Sequence, residues 1–415
     1  MERLSLLELT KELVGHNTSP GNSNNDIINF VANYCEDIGF SVKKDEYKGD
    51  EGINQFNLVA TIGGKGRPIL GLSGHTDTVK FTKESGKSGC WSDGIEPLSL
   101  TEKDGKYYGL GVADMKLFLA MVLKASETID VKQMRRPLAL YFSAEEEVGC
   151  CGISHLLPKD KPLVEVANYV IVGEPTEMKP AIAHKGYFYF QVVITATVDE
   201  TNPKVRKQIT HSSNDTRATN VVEVILPKIT TALTELRDLL RGHTDYRFKI
   251  PYPTFNIGGK IDYPENAMKN VIPVYISVDC ELRSLPFQDQ DHLRYLLERY
   301  VRESIVGLKM VNPDEVPSAI VKFVRKEPTP AMDTSEDSLI AEYTKKVSRT
   351  NGFKYLLFNT EGGIFNRAGA QSIIWGPGSI NDAHHKDEFV LKKWMSQKYV
   401  DKYIALIRHF CYEEV

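Results

Sequence analysis

The chain has 415 residues, enough for two or three ordinary domains, which excludes a small scaffold held together by disulfides. Its 51 Lys and Arg and 55 Asp and Glu give a net charge of −4, and neither sign forms a long run. Because nucleic-acid binding needs clustered basic side chains, we expect a small-molecule substrate and no nucleic acid. No apolar stretch approaches the roughly 20 residues that span a bilayer, and no signal-peptide pattern opens the chain. We therefore expect a cytoplasmic protein without membrane contact.

The beginning of the chain predicts helices, and strands follow them. Apolar residues at helical spacing predict helices over residues 4–15 and 26–38. Strand-length apolar segments occupy residues 57–62, 69–73, 138–143, 169–172 and 372–375. Several are continuously apolar, which is typical of central strands covered by helices on both faces. A helical segment over 115–128 lies between two of them and completes a β-α-β unit.

The middle of the chain has a different pattern. Residues 186–197 and 274–282 alternate apolar and polar side chains, whereas 221–240 is amphipathic and helical. This combination predicts an antiparallel sheet with helices on one face. We therefore predict an α/β catalytic domain, formed by residues 1–181 and 327–415, with a mostly parallel central sheet flanked by helices. An α+β domain, residues 182–326, is inserted into it.

Polar side chains follow the predicted strands where each strand ends. Three of the predicted strands are followed by His75, by the glutamates 145–147 and by Glu174, respectively. Asp114 lies after a glycine-rich turn, and His384 follows the last predicted strand. The carboxyl ends of parallel strands open onto one crevice, so these residues should meet in space. The predicted ligands are His75, Asp114, Glu147, Glu174 and His384.

Two imidazoles and three carboxylates, without a thiolate, favour a catalytic Zn²⁺, Co²⁺ or Mn²⁺ centre. Three carboxylates supply three negative charges against four positive charges from two divalent ions, and a bridging hydroxide balances the remainder. Asp77 is two residues from His75 on an extended chain, so its carboxylate should accept a hydrogen bond from the free ring nitrogen of His75. Glu146 and Glu147 are neighbours, so one should bind metal while the other carries protons.

These motifs resemble those of the M20 family of metallopeptidases and deacylases, and most closely its acetylornithine deacetylase branch. The resemblance extends over nearly the whole chain. The matching segments are Ser-Gly-His-Thr-Asp-Thr-Val (73–79), Tyr-Gly-Leu-Gly-Val-Ala-Asp-Met-Lys (108–116), Ala-Glu-Glu-Glu (144–147), Gly-Glu-Pro-Thr (173–176), His-Lys-Gly (184–186), Pro-Tyr-Pro-Thr-Phe-Asn-Ile-Gly (251–258) and Gly-Pro-Gly-Ser-Ile-Asn-Asp-Ala-His (376–384).

The resemblance implies a zinc-peptidase-like fold and a role for each site residue. Asp114 would bridge two metal ions, most simply Zn²⁺. Glu147 and His384 would bind one ion, and His75 and Glu174 would bind the other. Glu146 would be the general acid and base. The family's last metal histidine follows an alanine, so the match is His384 and not His385.

The inserted domain would act as a lid and form a homodimer. The resemblance implies that His211 reaches toward the partner subunit's site and stabilises the oxyanion. Asn270 and Arg283 match lid residues near the substrate's carboxylate, and an arginine binds carboxylates in bidentate fashion. Thr210 stands where the family usually has glycine, and the polar segment 198–209 before it is longer.

The implied reaction is hydrolysis of an N-acyl amide on a small amino acid, most simply N2-acetylornithine to ornithine and acetate. Acetylcitrulline, N-succinyl-diaminopimelate and a dipeptide are alternative substrates. Glu361 could face the cationic side chain of ornithine, or it could be a loop acid or the start of a helix. A non-catalytic metal-binding member is the alternative from a different class; such a protein would lack a ligand or Glu146, and none is missing.

Overall fold

The computed structural model describes residues 3–82, 91–92, 94–198, 211–214, 218–264, 268–325 and 327–414. The chain divides into two compact units, of which the first combines Met1–His184 with Met332–Val415 and the second is Lys185–Ala331. The domain limits predicted from the sequence are 182 and 326, whereas the chain changes unit after His184 and after Ala331. The catalytic and lid roles of the two units remain predictions.

The first unit begins with two helices that precede its first strand. Ser5 starts the first helix with a capping box, in which Ser5 and Glu8 each accept a backbone N–H from the other. The elements before the insertion are α1 (Leu6–Gly15), α2 (Asn25–Asp37), β1 (Ser41–Lys48), β2 (Asn54–Ile62), β3 (Leu70–His75), β4 (Thr101–Lys103), β5 (Lys106–Tyr108), α3 (Leu117–Ser126), β6 (Leu138–Ser143), α4 (Cys151–Leu156), β7 (Tyr169–Pro175) and β8 (Ala181–His184).

The second unit is an antiparallel sheet with two long helices on one face. Its elements are β9 (Gly186–Val198), α5 (Val221–Val224), α6 (Leu226–Leu240), β10 (Thr254–Asp262), β11 (Tyr275–Ser284), α7 (Gln290–Glu303) and β12 (Glu315–Phe323). The strand order is β10-β11-β9-β12. Alternate residues of β9, such as Phe188 and Phe190, share one buried cluster with Leu233 of α6 and Leu297 of α7. The predicted separate antiparallel sheet is confirmed.

The chain then returns to the first unit and completes its sheet. The last elements are β13 (Met332–Asp333), α8 (Leu339–Ser348), β14 (Lys354–Leu356), α9 (Gly362–Arg367), β15 (Gln371–Gly376), β16 (Phe389–Leu391) and α10 (Gln397–Tyr412). Leu140 and Phe142 of β6 face one buried cluster, which includes residues of α1, α2, α3 and α10. Tyr141, between them, faces the opposite cluster with residues of α4 and α9. Helices therefore cover both faces of the sheet, as its continuously apolar strands predict.

The main sheet is parallel at its centre and mostly antiparallel toward its edges, where the pair of β14 with β8 is the parallel exception. Its order is β1-β2-β6-β3-β7-β15-β8-β13, and β14 pairs with β8. The pairs formed by β6, β3, β7 and β15 are parallel. The pairs β1–β2, β2–β6, β15–β8 and β8–β13 are antiparallel, so the sheet is more mixed than the sequence pattern indicates. The short turn at residues 49–53 explains the first pair, because a parallel pair would need a long crossover.

This topology brings the carboxyl ends of the central strands to one edge of the sheet. His75, the last residue of β3, lies beside Ser143, the last residue of β6. Gly376 ends β15 beside Pro175 at the end of β7.

In the described part of the chain, no helix combines the length and hydrophobicity of a membrane-spanning segment.

A substitution at Gly173 tests how closely β7 packs against its neighbours. A Cβ atom at this position in β7 would lie 2.1 Å from the ring of Phe118. We expect Gly173→Ala to lower the free energy of unfolding by about 1–3 kcal/mol, because overpacking forces neighbouring groups to move. Chemical denaturation measures the change. Gly352→Ala is the control, since nothing lies within 4 Å of the added atom; equal stability of both variants would contradict the packing described here.

Candidate metal centre

The loops at the carboxyl edge bring the five predicted ligand residues into one cluster. His75 ends β3 and Glu174 lies in β7, while Asp114 belongs to an irregular turn, Val112–Lys116. Glu147 follows β6 and His384 follows β15. All except His384 have side chains that are at least nine-tenths buried.

Asp114 lies between the two histidines. Its Oδ1 atom is 3.0 Å from Nε2 of His75, and its Oδ2 atom is 3.0 Å from Nε2 of His384. Nε2 of His384 also lies 2.8 Å from Oε1 of Glu147. A carboxylate that presents one oxygen to each of two imidazoles has the arrangement needed to bridge two ions.

The remaining carboxylates extend the cluster on the His75 side. Ligand atoms of His75, Glu146 and Glu174 lie within 4.8 Å of one another, as do those of His75, Asp114 and Glu147. Oε1 of Glu174 is buried and has no hydrogen-bond partner. Burying a carboxylate oxygen without a partner is costly, and a cation here would satisfy it. The donor set of imidazole and carboxylate therefore fits Zn²⁺, Co²⁺ or Mn²⁺.

The crowding of these groups displaces their pKa values. Hydrogen bonds to Asp114 and Glu147 raise the pKa of His384 to about 11. Burial and the nearby charges of Asp114 and Glu146 raise the pKa of Glu174 well above its ordinary value. Burial favours a higher pKa for Asp114 too, but hydrogen bonds to His384 and His75 outweigh it and lower that pKa. Buried carboxylates thus share protons with the histidines until a cation replaces those protons.

Asp77 contacts His75 through a different oxygen from the predicted one. Nδ1 of His75 lies 3.0 Å from the carbonyl oxygen of Asp77 and 3.6 Å from the carboxylate. The two carboxylate oxygens instead accept the backbone N–H groups of Glu146 and Glu147, each at 3.0 Å. The predicted contact with the imidazole is therefore made by the carbonyl oxygen, because the carboxylate is engaged by the turn after β6.

The two neighbouring glutamates have different partners. Glu147 contacts His384, whereas Oε1 of Glu146 accepts a hydrogen bond from the thiol of Cys150 at 3.2 Å. Burial raises the pKa of Glu146 to about 8. Cys150, which was not predicted to belong to the site, lies four residues after Glu146 in the turn between β6 and α4. The structure also places His384, not His385, against Asp114 and Glu147.

Glu361 is fully buried beside β3. It immediately precedes α9, and its Oε2 atom accepts a hydrogen bond from Ser73 at 3.3 Å. Burial raises its pKa to about 7. The residue therefore occupies a helix-start position, one of the two alternatives, and its contact with substrate remains a prediction.

Three predicted residues lie in the second unit. Nε2 of His211 is 3.0 Å from Nδ2 of Asn270, and the histidine is exposed. Arg283 lies in β11, where Nε donates to Glu281 at 2.6 Å and the guanidinium stacks 4.1 Å from the ring centroid of Tyr187. The structure thus brings His211 and Asn270 together, and Thr210 with the segment 199–209 lies outside the described residues.

Metal binding to this cluster should release protons. The ligands bind as neutral imidazole and ionised carboxylate. Hydrogen bonds to Asp114 and Glu147 raise the pKa of His384 to about 11, so this ring is protonated at pH 7 in the metal-free protein. The pKa of His75 is raised as well. We expect the affinity for Zn²⁺ to increase with pH between pH 6 and 9. Isothermal titration calorimetry in two buffers measures the protons released, and an enthalpy that is independent of the buffer would contradict this description.

Comparisons with known proteins show which family the chain resembles over most of its length. The family model described as peptidase family M20/M25/M40 matches residues 71–409. The chain is 31% identical over 393 residues to acetylornithine deacetylase of Shigella sonnei strain Ss046, which covers 94% of this chain and 92% of that protein.

Solved structures share the fold at low sequence identity. A tripeptidase from Staphylococcus aureus has a TM-score of 0.67 at 18% identity, with 97% of each chain covered. An M20 family metallo-carboxypeptidase from Sulfolobus solfataricus has a TM-score of 0.63 at 18% identity and covers 97% of this chain and 99% of its own. The family match spans well over half of the sequence and contains all five clustered residues. The chain therefore belongs to peptidase family M20/M25/M40.

Proposed function

We propose that the protein hydrolyses the N-acyl amide bond of a small N-acylated amino acid, and that N2-acetylornithine is the preferred substrate. The observation that carries the proposal is the position of Asp114 between His75 and His384, with Glu146 beside the cluster and hydrogen-bonded to a thiol. The 31% identity to an acetylornithine deacetylase supports the choice of substrate. The products would be ornithine and acetate, a step of arginine biosynthesis in the cytoplasm.

In this proposal, two divalent ions complete the site. Zn²⁺ is the preferred ion, and Co²⁺ and Mn²⁺ are the alternatives. Asp114 would bridge them, Glu147 and His384 would hold one, and His75 and Glu174 would hold the other. Such ions supply Lewis acidity, which polarises an amide carbonyl and makes water acidic enough to attack at neutral pH. The short contacts of Asp114 and the unpartnered oxygen of Glu174 support this distribution of ligands.

Glu146 carries the proton in this proposal. It takes a proton from the attacking water and donates it to the leaving amine. Its backbone N–H is bound by Asp77, and one of its carboxylate oxygens is bound by Cys150. These two contacts limit the orientations of the side chain, so a defined carboxylate edge can face the substrate.

The second unit supplies the lid and the dimer contacts in this proposal. His211 stabilises the oxyanion of the tetrahedral species in the partner subunit's site, a contribution of about 3 kcal/mol for a donor of this kind. Its contact with Asn270 supports a fixed ring orientation. Arg283, held by Glu281 and Tyr187, presents a rigid guanidinium for the substrate's carboxylate.

A dipeptide is the second candidate substrate. The tripeptidase and the metallo-carboxypeptidase with the same fold are peptide hydrolases by name, and the chemistry of the cluster suits either kind of amide. Acetylcitrulline differs from acetylornithine in its uncharged distal end. N-succinyl-diaminopimelate differs both in its larger, acidic acyl group and in the carboxylate at its distal end. A non-catalytic metal-binding protein is disfavoured, because every ligand and Glu146 are present.

Replacing Glu146 separates catalysis from metal binding. We expect Glu146→Gln to lower kcat by about 10²–10⁴-fold, because the proton carrier is lost, while the amount of metal bound stays the same. Steady-state hydrolysis of acetylornithine and elemental analysis measure the two quantities. The control is Glu145→Gln, since Glu145 contacts Tyr47 and the N–H of Asp50 rather than the cluster. A Glu146→Gln enzyme with parental kcat would contradict the assignment.

The role of Glu361 can be tested by substrate preference. Acetylornithine and acetylcitrulline have similar shapes, but only ornithine has a cationic side chain. We expect Glu361→Gln to reduce the preference for acetylornithine about tenfold, measured as the ratio of kcat/KM values, since a hydrogen bond to a charged group contributes about 1.5–3 kcal/mol. An unchanged ratio would remove Glu361 from substrate recognition and leave it as a structural residue beside Ser73.

A further inference from the structure

Glu388 is a buried carboxylate that the sequence analysis did not single out. It is 2% exposed and lies directly before β16. Its Oε2 atom accepts the backbone N–H of Gly111 at 2.8 Å, and its Oε1 atom accepts those of Ala113 at 2.8 Å and Asp114 at 3.1 Å. Ala113 and Asp114 lie within the turn 112–116, and Gly111 immediately precedes it.

The backbone joins the same two segments. The N–H of Gly109 donates to the carbonyl oxygen of Glu388 at 3.1 Å, and β16 pairs with β5 immediately beside it. His384 lies four residues before Glu388 in the chain. One segment therefore carries a predicted metal ligand and also supports the turn of a second one.

The turn needs such a partner because it is not regular. Gly111 has a left-handed φ of 74°, and Asp114 and Met115 have non-helical backbone angles. Ala113 and Asp114 are also buried, at 2% and 4% exposure. Backbone N–H groups in this setting cannot bond to water, and leaving one unpaired costs about 1–3 kcal/mol. A single carboxylate that accepts three of them fixes the path of the chain at Asp114.

We propose that Glu388 is a positioning residue that orders the Asp114 turn before metal binds. It acts through Asp114 and makes no contact of its own with metal or substrate. The proposal rests on the proposed function in one respect, namely that Asp114 is a metal ligand. If the turn were disordered in the metal-free protein, the cost of ordering it would reduce the affinity for metal. Groups that support metal ligands typically contribute about 10–100-fold in affinity.

The test compares metal binding by Glu388→Gln, Glu315→Gln and the parental protein. Glutamine keeps the shape of the side chain but turns an amide NH₂ toward backbone N–H donors. Glu315, in the second unit, is the matched control, because it is also buried and accepts the N–H of Thr219 with both oxygens, at 3.2 and 2.9 Å. Both variants should lose thermal stability. Each metal-free protein is titrated with Co²⁺, and visible absorption reports the bound ion.

We expect Glu388→Gln to bind Co²⁺ about 10–100-fold more weakly than the parental protein, and Glu315→Gln to bind it within about threefold of the parental value. Equal affinities in all three proteins, or equal losses in both variants, would overturn the inference. A parental protein that binds no Co²⁺ would instead contradict the proposed function, so the two failures are distinguishable.

Hydrogen exchange gives a second test that needs no variant and decides the question if Glu388→Gln does not fold. In the metal-free parental protein, we expect slow exchange at the amides of Gly111, Ala113 and Asp114, because Glu388 already binds them. Exchange that is fast without metal and becomes slow only after Co²⁺ is added would show that the metal orders the turn, and would overturn the proposal.

Discussion

The site depends on one electrostatic constraint: several carboxylates are buried together at the carboxyl edge of a sheet. Asp114, Glu146, Glu147 and Glu174 crowd around His75, and burial with mutual repulsion raises the pKa of three of these carboxylates. Folding tolerates the crowding because the histidines and the bound protons offset the negative charge. Divalent cations would offset the negative charge more completely. The crowding of carboxylates is unfavourable for the metal-free protein and therefore favours metal binding.

The predicted metal ligands are held by backbone contacts as much as by side chains. Asp77 accepts two N–H groups from the turn after β6, and Glu388 accepts three from the turn of Asp114. In each turn the chain departs from regular structure at the point where a ligand must face the cluster. A buried carboxylate is an efficient partner for such turns, because its oxygens can accept several donors at once.

The sequence predicts the central strands well because each is a buried apolar segment that ends at a polar residue. β6 is predicted at its observed limits, 138–143, and the convergence of His75, Glu147 and Glu174 follows from the parallel pairing of the central strands. The antiparallel edges were not predicted, since β1 is mostly polar and carries no clear signal. Contacts such as that of Cys150 with Glu146 depend on the geometry of a single turn, which no periodic pattern in the sequence encodes.

The central claim is that two metal ions bind at the carboxyl edge of the sheet with Asp114 between them. Anomalous scattering at the zinc absorption edge, from a crystal of the zinc-loaded protein, tests it most directly. We expect two anomalous peaks about 3.5–4 Å apart, one against His75 and Glu174 and the other against Glu147 and His384. A single peak, or peaks that lie away from Asp114, would contradict it.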